Sequence, residues 1–500
     1  MDSSNTSSPG PGLPLRLPPE LLDGITQLLP NSDIKCLRLT CAHLGRIAQL
    51  RISRVFLSPN PTDVDVFRAV ADHDTLRKKV VEIVYDDTRF PFPLGDDDSG
   101  FGYYDEDTEE TSKVSDIPIS FVSEYRKKAA EILGYTGSDA YLLETENVKS
   151  PPVSLVKSYA AYRGLVRGQE RVLATNSDAE ALEYGLQRFP HLRRITLTPA
   201  LHGYPGTAPY STPTLRSLPH GTIYPIAYGW PFIDRRGISW STPHSWEGEE
   251  KEKWRGFCLV NRTIAQHLRE NPGACISDLV FDVNHLLTGL SCRIFENAEN
   301  DEYKDLLTIL GHPGFSHIDL ALFSWRYLQT GSLTITSGHL PRALAAARDL
   351  QHVSLSTDYL LPDRDGDTYE ENDFVPLRAI FPIEAWPNLR HFGLSNFPVK
   401  QDDLMSFLLE LPPTLRSVEL SLLTFYPEHG DYASLLEEMR DRLAWHERAV
   451  ADRPEVIICM DPGPQGWGTP EFVKVDEFLY SDGKNPLIAK IAWGSYGQGP

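Results

Sequence analysis

Methionine and cysteine are scarce here, four and six in a chain of 500 residues. Six scattered cysteines are too few for a disulfide framework, and no paired C-x-x-C motif offers a structural zinc site. Free thiols in a reducing compartment are the expected state. No apolar run approaches the ~20 residues needed to span a bilayer. The opening stretch, Met1 to Gly12, is rich in Ser, Pro and Gly and lacks the apolar centre of a signal peptide. Cytoplasm and/or nucleus is therefore the expected location. Positive charge is also short: Lys+Arg 48 against Asp+Glu 69 leaves a net charge of −21. That balance argues against a broad nucleic-acid or anionic-membrane surface.

Chemical motifs are absent too. No Walker loop or HExxH occurs, and the histidines show no metal-ligand spacing along the chain. Gly237-Ile238-Ser239-Trp240-Ser241 lacks the second glycine of a nucleophile elbow. Asp363-Arg364-Asp365-Gly366-Asp367 puts its glycine at the fourth position, where a calcium loop needs it at the sixth. The expectation is no catalytic residue, no metal and no cofactor.

What is present begins at residue 17. Pro18 and Pro19 suit the first turn of a helix. Leu21, Leu22, Ile25, Leu28 and Leu29 then make one helical stripe, which Pro30 ends. Asn31 or Ser32 is suited to cap a second helix, and Ile34, Leu37, Cys41 and Leu44 continue its apolar face. Three short amphipathic helices of this size cannot enclose a core of their own, so a partner or the rest of the chain must cover them. Burying five aliphatic side chains is worth roughly 1.5–3 kcal/mol each, against about 1 kcal/mol lost at Gly24.

The run Leu17-Pro18-x-Glu20-Leu21-Leu22-x-x-Ile25-x-x-Leu28-Leu29-Pro30, followed by Asp33-Ile34-x-x-Leu37-Arg38-Leu39-Thr40-Cys41, resembles an F-box. It departs from the family pattern in having no Trp after the Cys. The resemblance implies docking onto the Skp-type adaptor of a cullin–RING ubiquitin ligase. The residues it assigns to that contact, or to its support, are Leu17, Pro18, Leu21, Leu22, Ile25, Leu28, Leu29, Leu37, Cys41 and Leu44.

Further along, an apolar-x-x-apolar-x-apolar pattern recurs, the short-strand signature of a leucine-rich-repeat-like array. Its clearest copies start at Leu192, Leu350, Leu389 and Leu415, with weaker ones at Val80, Ile276 and Phe315. Starts at 276, 315, 350, 389 and 415 are separated by 39, 35, 39 and 26 residues, room for a strand and a return helix. Helices are predicted over 303–310, 342–348 and 402–411 between them, and over 63–71 before the array.

The expected fold class is α/β: an N-terminal three-helix F-box followed by an irregular leucine-rich-repeat-like solenoid with parallel strands and long insertions. The boundaries are a disordered tail 1–14, the F-box 15–50, a helical linker 51–75 and the repeat region 76–500. An acidic loop, 86–115, and a Pro/aromatic loop, 199–256, interrupt the repeats. Most aromatics of the second loop are expected to pack over the array. Trp230, Phe232, Trp240 and Trp246 are candidates to meet a target, since Trp and Tyr dominate binding hot spots.

Together these readings imply a non-catalytic substrate-recognition subunit of an SCF-type E3 ubiquitin ligase. Its partners would be the Skp-type adaptor, a cullin and an unknown target protein, with no nucleic acid and no membrane. Two other classes stay open: a non-ligase interaction scaffold stabilised by the adaptor, and an enzyme whose site is dispersed along the sequence.

Overall fold

The computed structural model describes residues 17–90, 117–132, 153–202, 208–225, 229–233, 244–284, 286–324, 337–358, 374–460 and 471–488. The tail 1–14, the acid runs 96–98 and 105–107, the near-motifs at 237–241 and 363–367, and Trp240 lie outside those residues.

Three helices come first: α1 (Pro19–Leu28), α2 (Asn31–Thr40) and α3 (Ala42–Ile47). A mixed α/β body follows. Its strands are β1 (Arg54–Leu57), β2 (Glu82–Asp86), β3 (Arg194–Thr198), β4 (Phe232–Ile233), β5 (Asp278–Phe281), β6 (Leu287–Thr288), β7 (Leu290–Ser291) and β8 (His317–Phe323). They continue with β9 (His352–Thr357), β10 (His391–Ser395), β11 (Pro398–Val399), β12 (Ser417–Ser421), β13 (Thr424–Phe425), β14 (Glu455–Met460) and β15 (Glu471–Lys474). Eleven of them form one mostly parallel sheet in the order β1-β2-β3-β5-β8-β9-β10-β12-β14-β15, with β7 beside β8. Strand order thus follows chain order, and the antiparallel β15 ends the row.

All seven copies of the recurring pattern land on strands of this sheet, in register. Ile83, Ile195, Leu279, Ile318, Val353, Phe392 and Val418 pair successively across it. Each is buried, as are Tyr85, Leu197, Phe281, Leu320, Leu355, Leu394 and Leu420 two residues on. Because side chains alternate across a strand, these residues share one face. The first apolar residue of each copy, such as Leu350 or Leu389, precedes the strand and is buried as well.

Helices cover that face. The helix Arg255–Glu270 buries Phe257, Val260, Ile264 and Leu268, and Asp301–Leu310 packs beside it through Tyr303, Leu306 and Ile309. His339–Ala346, Gln401–Glu410 and Tyr432–Arg442 serve the later strands. The helices predicted at 303–310 and 402–411 agree with this, while the one at 342–348 begins three residues earlier, at His339.

Two expectations need revision. Residues 51–75 hold β1 as well as the helix Pro61–Asp72 (α4), because Ile52-x-x-Val55-x-Leu57 is itself a copy of the strand pattern. The interval 199–256 is not a continuous loop: it contains helical turns at Pro213–Ser217 and Glu249–Glu252, and β4 pairs antiparallel with β6.

Candidate functional site

The three N-terminal helices hold a small interior of their own. Leu22, Thr26, Ile34, Leu44 and Ala48 are buried, and none of them joins the large core under the sheet. Polar contacts lock the unit. The Arg51 guanidinium donates to the carbonyl oxygens of Gln27 and Leu29 at the end of α1, where carbonyls lack helical partners. The Asn31 amide donates to the Arg51 carbonyl at 2.7 Å and accepts from the Arg51 amide at 2.9 Å. Asn31 is therefore a clasp between α2 and the chain after α3, not the cap expected; Pro30 holds the cap position. Cys41 Sγ accepts from the Leu44 amide at 3.5 Å and caps α3.

Of the ten residues the F-box resemblance assigns, Leu22 and Leu44 form that interior, and Leu17, Leu29, Leu37 and Cys41 are half-buried. Pro18 is exposed. Leu21, Ile25 and Leu28, at i, i+4 and i+7 of α1, are 56%, 46% and 85% exposed. One stripe of the helix is thus apolar and turned to solvent, while the adjoining side, Leu22 and Thr26, is spent on the small interior.

The aromatic candidates are placed otherwise. Trp230 is buried, its indole N–H donating to Asp87 at 2.7 Å. Trp246 is buried against Trp254 and donates to Glu302 at 3.1 Å. Both rings are lid packing over the sheet and offer no surface to a target in this arrangement. Phe232 is half-buried on β4.

The second face of the sheet carries a feature that sequence spacing does not disclose. One residue per strand, directly before the first apolar position, pairs across the sheet from β1 to β14: Arg54, Glu82, Arg194, Asp278, His317, His352, His391, Ser417 and Glu455. At one end the row alternates in charge, with Arg54–Glu82 at 2.6 Å and Arg194–Asp278 at 3.0 Å. In its middle three imidazoles stack, His317 on His352 at 3.8 Å between ring centres and His352 on His391 at 3.9 Å, nearly parallel. Asp319 stands in the next row of β8. Its carboxylate accepts from His317 Nε2 at 3.1 Å and from His352 Nε2 at 2.8 Å. Burial pushes the Asp319 carboxyl up, but these two bonds outweigh it and hold it well below the usual carboxylate range. Burial, with repulsion from His352, pushes His391 down to about 4.

A third polar group is enclosed. A cavity of about 10 Å³ lies among Asp63, Asp86, Gln169 and His202, space for a single water at most. Burial raises the Asp86 carboxyl to about 8 and depresses His202 to about 4. The cavity is far below the ~300 Å³ of a small-molecule site, so these groups form a structural polar knot, not a substrate pocket.

No helix among the described residues is long and apolar enough to cross a membrane. No protein family's model matches the chain, and no curated protein is similar to it.

Proposed function

We propose that this protein is the substrate-receptor subunit of an SCF-type ubiquitin ligase, with α1 to α3 acting as an F-box. The observation that carries the reading is the exposed stripe Leu21, Ile25 and Leu28 on a unit whose own interior is already filled by Leu22, Ile34 and Leu44. Covering a fully exposed aliphatic side chain gains roughly 1.5–3 kcal/mol; Leu28 stands near that limit and Leu21 and Ile25 near half of it. The sheet supports the second half of the reading. Parallel sheets are usually covered on both faces, whereas here strands laid down in chain order bury one face and, from β5 to β12, leave a half-exposed polar row on the other. That is how a solenoid of stacked repeats behaves, each unit burying its apolar side on its neighbours and offering an extended surface. In this reading the polar face meets the target, in place of the buried Trp230 and Trp246, and catalysis is left to the enzyme that the complex brings near.

The test is co-purification. Leu21→Asp with Ile25→Asp is expected to remove the Skp-type adaptor from the purified complex while the melting temperature of the main body stays unchanged. Adaptor retained at wild-type levels by the double variant would place the contact elsewhere and end the F-box assignment. Cullin in the wild-type complex is the separate readout for ligase assembly: adaptor without cullin would make the chain an adaptor-stabilised scaffold.

A further inference from the structure

On the open face of the sheet, we propose that His317, Asp319 and His352 form a binding site for a divalent transition-metal ion of the zinc class. The proposal is independent of the N-terminal helices. Three ligands converge: an imidazole nitrogen from each histidine and a carboxylate oxygen lie within 4.8 Å of one another. His317 Nε2 lies 3.1 Å from one Asp319 carboxylate oxygen and His352 Nε2 lies 2.8 Å from the other, each separation close to the ~3.3 Å between ligand atoms of a tetrahedral ion with bonds of ~2.0 Å. Zinc-class ions suit this set because imidazole nitrogen favours zinc, copper and nickel, while all-oxygen sites favour calcium and magnesium.

Charge points the same way. Among the described residues Asp319 is hydrogen-bonded to these two histidines and ion-paired with no Lys or Arg. The cationic partners of this negative group are imidazoles rather than Lys or Arg, and a cation held between His317, His352 and Asp319 would satisfy all three. The side chains are partly exposed, so the ion has an entry path from water. The parallel rings point their Nε2 atoms side by side, and uptake requires each ring to tilt about its Cβ–Cγ bond, a soft torsion. Each imidazole also shifts its proton from Nε2 to Nδ1 through solvent, freeing the Nε2 lone pair. From the neutral imidazole no net proton is lost in that exchange, and an imidazolium gives up one proton to solvent. Three protein ligands leave one tetrahedral position open, as in sites that take water or an incoming ligand. A target's carboxylate or imidazole could fill it.

The experiment titrates full-length protein with Zn²⁺ alone by calorimetry, and with Co²⁺ by visible absorption. Wild type is expected to bind one more ion than the His317→Gln/His352→Gln double variant; ions held at the exposed Cys36 and Cys275 are common to both. Asp319→Asn should weaken that ion at least ~10-fold, and His391→Gln, outside the ligand set, should retain it. Equal stoichiometry and affinity in wild type and the double variant would overturn the site and leave the histidines a stacked polar ladder. If a variant fails to fold, wild type decides: bands of a low-symmetry nitrogen–oxygen cobalt centre support the site, and a spectrum of thiolate-bound or aqueous cobalt alone refutes it.

Discussion

Asp86 ends β2 with its carboxyl buried beside two other acids, Asp63 and Asp87. The Thr88 amide donates to it at 2.9 Å, which does not offset the loss of water, and its raised value of about 8 means the proton is held at neutral pH. The unfolded chain releases that proton near pH 4, so the group's contribution to stability is complete below about pH 4 and is lost as pH rises toward 8. Asp86→Asn removes the dependence. The difference in melting temperature between variant and wild type is expected to grow in the variant's favour from pH 4 to pH 8, and a flat difference would mean the carboxyl is ionised in the fold. Individual residues were also where the sequence misled. Trp230 and Trp246, in a Pro-rich insertion, have the look of exposed anchors, yet each is buried against a carboxylate 143 and 56 residues away. Nothing local announces Asp87 or Glu302 as those partners.

Strands were the readable elements. Apolar residues at fixed offsets with period two mark β2, β3, β5, β8, β9, β10 and β12, because each must bury one face against helices. β14 escapes the full pattern since Arg453 occupies its leading apolar position, and its Val456 and Ile458 alone betray it. The helices Leu155–Thr175 and Ser177–Leu186 were not legible because small and polar residues sit at their buried positions. Gly168 lies against the Pro61 ring, Gly185 lies under Phe67, and Ser158, Gln169 and Asp178 are buried. Close approach substitutes there for apolar bulk. The histidine row was missed because its members stand 35 and 39 residues apart. Its signal was nevertheless present, a His directly before the first strand apolar in three consecutive copies, and only the register of the sheet makes that a cluster. Glycine also positions elements. A Cβ at Gly289, between β6 and β7, would fall 2.5 Å from the Ala321 carbonyl of β8, a backbone group unable to yield. Gly289→Ala is expected to cost about 1–3 kcal/mol in urea denaturation. Gly24→Ala, in open space on α1, should instead gain up to about 1 kcal/mol of helix propensity; equal effects at the two sites would contradict this packing.

At the scale of the molecule, β15 closes the row of strands by running antiparallel to β14. Without it the outer edge of β14 would present a line of unpaired amides and carbonyls beside Val456 and Ile458, a template for a second chain. A chain ending after Met460 is expected to self-associate at micromolar concentration in light scattering, and a monodisperse monomer would show that the edge is guarded by something other than β15. The order of the strands reaches further, into biosynthesis. Apart from β7, which pairs with the later β8, each main-sheet strand from β2 to β14 pairs with one already synthesised, so the sheet can lengthen on the ribosome at the pace of translation, ~5–20 residues per second. The solvent-facing stripe of α1 emerges before any of them, leaving it open to capture while most of the polypeptide is still unmade.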